Sequence, residues 1–421
     1  MATAVVLAAA ACSSELPADL GDYPQDLERL VDAPALAHLA LALPETAEAD
    51  ELTVEDLFRE RPAYARAPDP SLLLDQMRIR EVSLPPLGPA EPLRVLSFNA
   101  GLLDRWYPFT TVQVPYVDVR RERSPAIVLG DDWDIVLLQE VWDTRDVEAF
   151  TAEARTRGYL AYAGSTRAHE EHGLLMLVRE ELVDPDGPNE RREQIFEQQR
   201  GIEDFPGPGI ARGFLSWRFR HAPTGVTLNL FDTHTTAFPE LSLIRETQVR
   251  RLGLAARSVP DDEVALVAGD VNAGAYYPRN TFGEVDGEPV TDWWRNAQAY
   301  ALLLHYGGLY DVFAAAGEAR DVELMDQLPA YTAAYRERPL GNVGLCDELG
   351  GVFTATDCNS LYFEQYGGTE YPARIDHVMV RDESGAVRVS GSWVAYDGVM
   401  DGGVELSDHY GVGAVLWVER R

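Results

Sequence analysis

The sequence predicts an α/β fold, and three observations carry the prediction. Short apolar runs of strand length recur from residue 93 onward, several of them apolar on consecutive positions. That texture suits strands buried on both faces. Segments of helical periodicity such as Arg245–Ala256 lie between them, as in an α/β chain. Polar residues stand where the runs end.

The runs are Leu93–Phe98, Ile135–Leu138, Leu174–Val178, Val226–Phe231, Val264–Ala268, His377–Val380 and Val412–Val418. The Pro/Gly-rich stretch Asp184–Gly213 and the long stretch Gly274–Gly351 read as loops or insertions. Ahead of the runs, residues 13–90 form an acidic, Pro/Ala-rich extension. Helical periodicity there (Leu27, Leu30, Val31, then Leu36, Leu39, Leu41) is interrupted by Pro62, Pro68, Pro70, Pro85 and Pro86. Residues 91–421 are expected to form the main domain, and no internal repeat is visible.

Of the 421 residues, 46% are hydrophobic and 25% charged, which excludes a disordered tail, a collagen and a disulfide-knot miniprotein. Asp and Glu number 69 against 36 Lys and Arg, a net charge of −33, and no lysine occurs. Such a surface repels polyanions at long range and argues against a non-specific DNA coater. An acidic site that holds metal cations remains compatible with it.

Val5–Ala11 is a small, apolar run that ends at Cys12. It resembles a bacterial lipoprotein signal over residues 1–12, with Cys12 the acylated residue, although no basic residue precedes it and Ala9 replaces the usual leucine. The chain is therefore expected to be exported, as an envelope-anchored lipoprotein or a secreted protein. The run is too short to span a bilayer. Cys346 and Cys358 remain, and in an exported chain they invite a disulfide; two free thiols are the alternative.

The chemistry lies at the run ends. Asn99 follows the first, Glu140 the second, His234 the run through Phe231, and Asp270 the next, with Asn272 two positions on. Asp376 precedes the His377 run, and Asp408-His409 the last. Ligands of α/β sheets bind beyond strand ends, where such loops converge. Each residue alone has a plain structural role, as turn, cap or core histidine. Together, Glu140, Asp270 and Asp408 with the amides of Asn99 and Asn272 suit Mg²⁺, Mn²⁺ or Ca²⁺ rather than thiolate-bound zinc. Two histidines add proton transfer, and Asp376 is placed to fix a histidine tautomer. The set points to hydrolysis of a phosphate ester.

At these residues the sequence resembles the endonuclease/exonuclease/phosphatase superfamily, through LSFNAG, DIVLLQEVW, FDTHTTA, VAGDVNAG, RIDHVMV and LSDHYG in that order. The resemblance implies a four-layer α/β sandwich, with two mixed sheets face to face and helices outside. It also implies roles. Glu140 binds the essential metal, most simply Mg²⁺, with Asn99 beside it. Asp270 and Asn272 serve a second metal position or the phosphate and its water. His234 stabilises phosphoryl charge, His409 is the general base, Asp376 orients it, and Asp408 supports the metal region.

Between the motifs, the chain looks most like bacterial sphingomyelinases and related secreted phospholipases C. His172-Gly173-Leu174-Leu175, Arg212-Gly213-Phe214, the stretch from Thr233 to Ala237 with Arg245 and Gln248, and Thr356-Asp357-Cys358-Asn359-Ser360-Leu361 carry this likeness. The departures are Arg212 for Lys, and Thr235-Thr236 for Leu-Gln. The expected function is a metal-dependent phosphodiesterase on a phospholipid membrane surface, converting sphingomyelin to ceramide and phosphocholine by metal- and His-activated water attack on phosphorus. An extracellular nuclease, an inositol-phosphate phosphatase and a non-catalytic surface lipoprotein are the alternatives; no obligate protein partner is predicted.

Three further features have plainer expectations. His169-Glu170-Glu171-His172 has its histidines three apart, not the zinc-protease four, and reads as a solvated loop. The aromatic groups Trp106-Tyr107-Pro108-Phe109, Trp293-Trp294, and Tyr362-Phe363 with Tyr366 suit either core packing or a bilayer interface and choline cage. Arg245 and Arg251 are expected to pair with acidic neighbours at the surface.

Overall fold

The computed structural model describes residues 89–420 apart from 108–109, 166–171, 197–210, 238–241, 275–280, 286–287, 314–353, 356–358, 363–373, 398 and 401–402. Cys12, Cys346, Cys358 and all of the extension but 89–90 therefore lie outside the described residues. Chain packing divides the molecule into two units. The smaller is Met1–Arg66 with Gly283–Val290, and its described residues belong to a short ladder of Thr281–Val285 with Glu288–Thr291. The larger, Ala67–Phe282 with Thr291–Arg421, carries everything below.

Twelve strands of the larger unit form two six-stranded mixed sheets. In chain order they are β1 (Ala90–Asn99), β2 (Ile135–Gln139), β3 (Tyr159–Ala163), β4 (Leu175–Arg179), β5 (Asn189–Ile195), β6 (Gly213–Arg220), β7 (Thr227–His234), β8 (Val264–Asp270), β9 (Tyr310–Asp311), β10 (Asp376–Arg381), β11 (Val387–Ala395) and β12 (Gly411–Glu419). The first sheet runs β11-β12-β1-β2-β4-β3 and the second β9-β10-β8-β7-β6-β5. In each, the two central strands are the one parallel pair, β1 with β2 and β8 with β7, and every other neighbour is antiparallel. The sheets share this plan although the sequence shows no repeat.

Strand alternation explains which residues meet. Leu96 and Phe98 of β1, with Val136 and Leu138 of β2, join the cluster of Val117, Val128, Phe150 and Ala154. Those partners lie on helices α1 (Val117–Val128) and α2 (Thr144–Thr156), which cover the outer face. With a period of two, Ser97, Asn99 and Gln139 then face the second sheet. Helices α3 (Ser242–Arg257) and α4 (Asp292–Gly307) pack on each other, and α3 on β8. The result is the expected α/β sandwich, with helix, sheet, sheet and helix in order. No described helix is long and apolar enough to cross a membrane.

Two stretches read as loops contain structure. Asp184–Gly213 holds β5, an edge strand whose sequence NERREQI is mostly exposed and so lacks apolar alternation. Gly274–Gly351 holds α4 and β9. The observed strands also run past the apolar runs. Asn99, His234 and Asp270 are the last residues of β1, β7 and β8, and Asp376 is the first of β10.

Candidate active site

The polar residues converge at one end of the two parallel pairs. Asn99 and Glu140 come from the first sheet, and His234, Asp270 and Asn272 from the second. Asn99 bridges them: its Nδ2 donates to Asp270 Oδ2 at 3.0 Å and to Glu140 Oε1 at 3.4 Å. Its Oδ1 is occupied by the Gly101 N–H, 3.0 Å away, so the amide nitrogen, not the oxygen, faces the carboxylates.

Two site residues adopt left-handed backbone, Glu140 at φ 59° and Asn272 at φ 48°. This conformation costs an L-residue roughly 1–2 kcal/mol and persists where neighbours over-determine it. Around Glu140, the Leu102 N–H donates to its carbonyl and the Val141 N–H to the Gly173 carbonyl. At Asn272, the backbone N–H donates to Asp270 Oδ1 at 2.9 Å, and the side chain donates to the Thr235 carbonyl at 3.1 Å.

The loop before β12 brings Asp408 and His409. His409 Nδ1 lies 2.9 Å from Asp376 Oδ2 and 4.0 Å from Asp270 Oδ2. His234 Nε2 is 3.3 Å from the same Asp270 oxygen. The two histidines are pushed in opposite directions. Burial, then Arg212 and His409, hold His234 well below its ordinary range. Burial would lower His409 too, but Asp376, Asp270 and Asp408 outweigh it and push it well up. The two histidines therefore differ in basicity, with His409, held by Asp376, the stronger proton acceptor.

Four carboxylates share this space. Burial first and Asp408 second raise Glu140; burial and then Asp376 push Asp270 up to about 7. Asp376 Oδ1 is buried without a hydrogen-bond partner. Crowded, desolvated carboxylates fit a hard divalent cation, whose charge favours their ionised forms. Asp270, Asp376 and His409 offer donor atoms within 4.8 Å of one another and could hold a metal ion, though His409 is already committed to Asp376. All eight residues singled out in the sequence meet here.

Several supporting residues were not legible beforehand. Gln139 Nε2 crosses between the sheets to Asp232 Oδ1 at 2.7 Å, one layer below the site. Behind it, Asp311 accepts from Tyr300 Oη at 2.7 Å and pairs with His377 Nδ1 at 3.0 Å, while His377 Nε2 meets the Ala273 carbonyl at 2.8 Å. Burial opposes ionisation of Asp311, but Arg374 and His377 hold its carboxyl well below the usual range. Asp311 was hidden in a stretch read as an insertion. Arg245, expected at the surface, is buried. It donates to the carbonyls of Thr236 and Ala237, while Gln248 accepts from the Thr236 N–H, so α3 pins the chain after His234. His172, expected in a solvated loop, is also buried, with Nε2 2.5 Å from Glu193. Residues 166–171 lie outside the described residues. Of the aromatic groups, Tyr362 packs with Ala355 and Ile375; Phe363, Tyr366, Pro108 and Phe109 lie outside the described residues.

No curated protein matches the sequence significantly. Among solved structures, TDP2 from D. rerio complexed with single strand DNA product is 18% identical, covering 77% of this chain and 98% of that one at a TM-score of 0.49. SmcL is 16% identical, covering 78% and 99% at 0.45. Beta toxin from Staphylococcus aureus is 14% identical, covering 76% and 99% at 0.45. The model of the Endonuclease/Exonuclease/phosphatase family matches residues 97–409, a span that opens two residues before Asn99 and closes on His409. The chain belongs to the endonuclease/exonuclease/phosphatase family of phosphoester hydrolases.

Proposed function

We propose that the protein is an exported, metal-dependent phosphodiesterase that cleaves the headgroup of a phospholipid, most simply sphingomyelin to ceramide and phosphocholine. The observation that carries the chemistry is the His409–Asp376 pair at 2.9 Å, facing Asp270 at the mouth of both parallel strand pairs. Glu140, Asp270 and Asp408 would hold a divalent cation, which would supply Lewis acidity at the phosphoryl group. Asp376 fixes the imidazole by its Nδ1, which leaves Nε2 to take the proton of the attacking water. The water oxygen bonds to phosphorus, the bond from phosphorus to the ceramide oxygen breaks, and the proton passes to that leaving oxygen. His234 and Asn272 would serve the phosphoryl oxygens, and the Arg212 charge is near enough to act on both Glu140 and His234.

Substrate class rests on other grounds. A net charge of −33 without lysine disfavours a long polyanion, and the segments between the motifs resemble bacterial sphingomyelinases. Export rests on the Val5–Ala11 run and Cys12. The test is hydrolysis of sphingomyelin vesicles, plasmid DNA and an inositol polyphosphate, each with Mg²⁺ or EDTA. Phosphocholine release that EDTA abolishes is expected. Plasmid cleavage without phosphocholine release would make the protein a nuclease, and turnover in EDTA would overturn the metal chemistry.

A further inference from the structure

We propose that Arg120 is a positioning residue of the active site, whose guanidinium sets the separation between the turn carrying Asn99 and the loop carrying Asp408 and His409. Arg120 lies on the buried face of α1 and is 0% exposed. Its fork reaches three chain segments. Nη1 donates to the carbonyls of Ala100 at 3.1 Å and Leu406 at 3.3 Å, Nη2 to that of Gly101 at 2.6 Å, and Nε to that of Pro115 at 3.0 Å. Every one of these acceptors is a main-chain oxygen, so the side chain defines backbone positions rather than neutralising a carboxylate.

Burying a guanidinium is costly, and an apolar side chain of similar length avoids the cost. What arginine adds is a rigid planar array of donors, matched here to carbonyls that otherwise lack a common partner. The same turn reaches the metal side of the site, because the N–H groups of Ala100 and Leu102 donate to the carbonyls of Gln139 and Glu140. Tolerance at this junction is small. Gly101 has φ +56°, and a Cβ built there would lie 2.3 Å from Asp408 Oδ1, 2.7 Å from Ser407 Oγ and 3.4 Å from Arg120 Nη1. The Arg120 charge is felt at the cluster as well: burial lowers the guanidinium from its ordinary range, against the opposing pull of Asp408 and Glu140.

The catalytic part of this inference rests on the phosphodiesterase reading; the geometric part does not. The experiment compares the full chain with Arg120→Lys and Arg120→Met by three readouts: hydrogen exchange of the 97–102 and 404–410 segments, Mn²⁺ affinity by electron paramagnetic resonance, and kinetics on bis(p-nitrophenyl) phosphate. Both segments should lose protection together while β7 and β8 keep theirs. Mn²⁺ affinity should fall about 10-fold, and kcat about 100-fold at little change in KM, with Arg120→Lys intermediate because it keeps the charge but not the fork. Unchanged exchange in both segments overturns the proposal, as does parental Mn²⁺ affinity and kcat in Arg120→Met. If the parent binds no Mn²⁺ and hydrolyses nothing, the phosphodiesterase reading has failed, and hydrogen exchange in the Arg120→Lys protein decides the positioning role by itself.

Discussion

Replacing Asp270 by Asn should make the metal-free protein more stable at alkaline pH while disabling it. Asp270 is buried, accepts from Asn99 and the Asn272 N–H, and is pushed from 3.8 up to about 7, by burial first and then by Asp376. Between about pH 4 and 7 the folded state keeps a proton that the unfolded chain has released. Stability therefore falls as pH rises through that window. A shift of this size corresponds to about 4 kcal/mol. Asn matches the shape and cannot ionise, but it keeps one fewer acceptor, which costs about 1 kcal/mol. In EDTA, Asp270→Asn should exceed the parent by about 3 kcal/mol at pH 8 and differ little at pH 4, read from urea denaturation at both pH values. Its phosphodiester hydrolysis should be lost, the trade expected where a site stores unfavourable charge. A variant no more stable than the parent at pH 8 would refute the reasoning, because Asp270 would then ionise in the folded state without penalty.

Substitutions at two other positions test the frame beneath the site. His221 is 0% exposed and is lowered from 6.5 to about 4, by burial against the pull of Glu91. The unfolded chain takes up that proton first, so the parent should lose about 3 kcal/mol relative to His221→Asn between pH 7 and pH 4; parallel pH profiles of the two proteins would contradict this. Burial also raises Asp232 well above the usual carboxylate range, and its Oδ1 accepts from the Gln139 amide. Asp232→Asn should unfold at the parental urea midpoint, whereas Asp232→Leu leaves that amide unpaired and should cost about 1–3 kcal/mol. Equal losses in both would show that charge, not the hydrogen bond, matters.

The parts of the fold that bury both faces of a strand were legible, because β2, β4 and β8 announce themselves as unbroken apolar runs. The residues that gather at the candidate site were legible for a related reason: a carboxylate or histidine directly after such a run has few structural excuses. Edge strand β5 was not, since exposure on both faces removes its pattern. The buried face of α1 was hidden as well. Arg120 and Arg121 stand where amphipathic spacing expects apolar residues, and Arg121 is neutralised by Asp146 at 2.6 Å only through the fold. Arg245 shows the same limit, because a buried guanidinium bound to carbonyls looks, in sequence, like any surface arginine. The alternation that places Asn99 and Gln139 on one face was readable, but their partners Asp270 and Asp232 lie 171 and 93 residues away.

The central claim is that this cluster hydrolyses phosphodiesters with His409 as the proton-transfer group. Turnover of bis(p-nitrophenyl) phosphate in Mg²⁺ by the parent and by His409→Gln tests it most directly. The account predicts parental turnover that EDTA abolishes and a variant slower by about 10²–10⁴-fold. A His409→Gln protein as fast as the parent would contradict it.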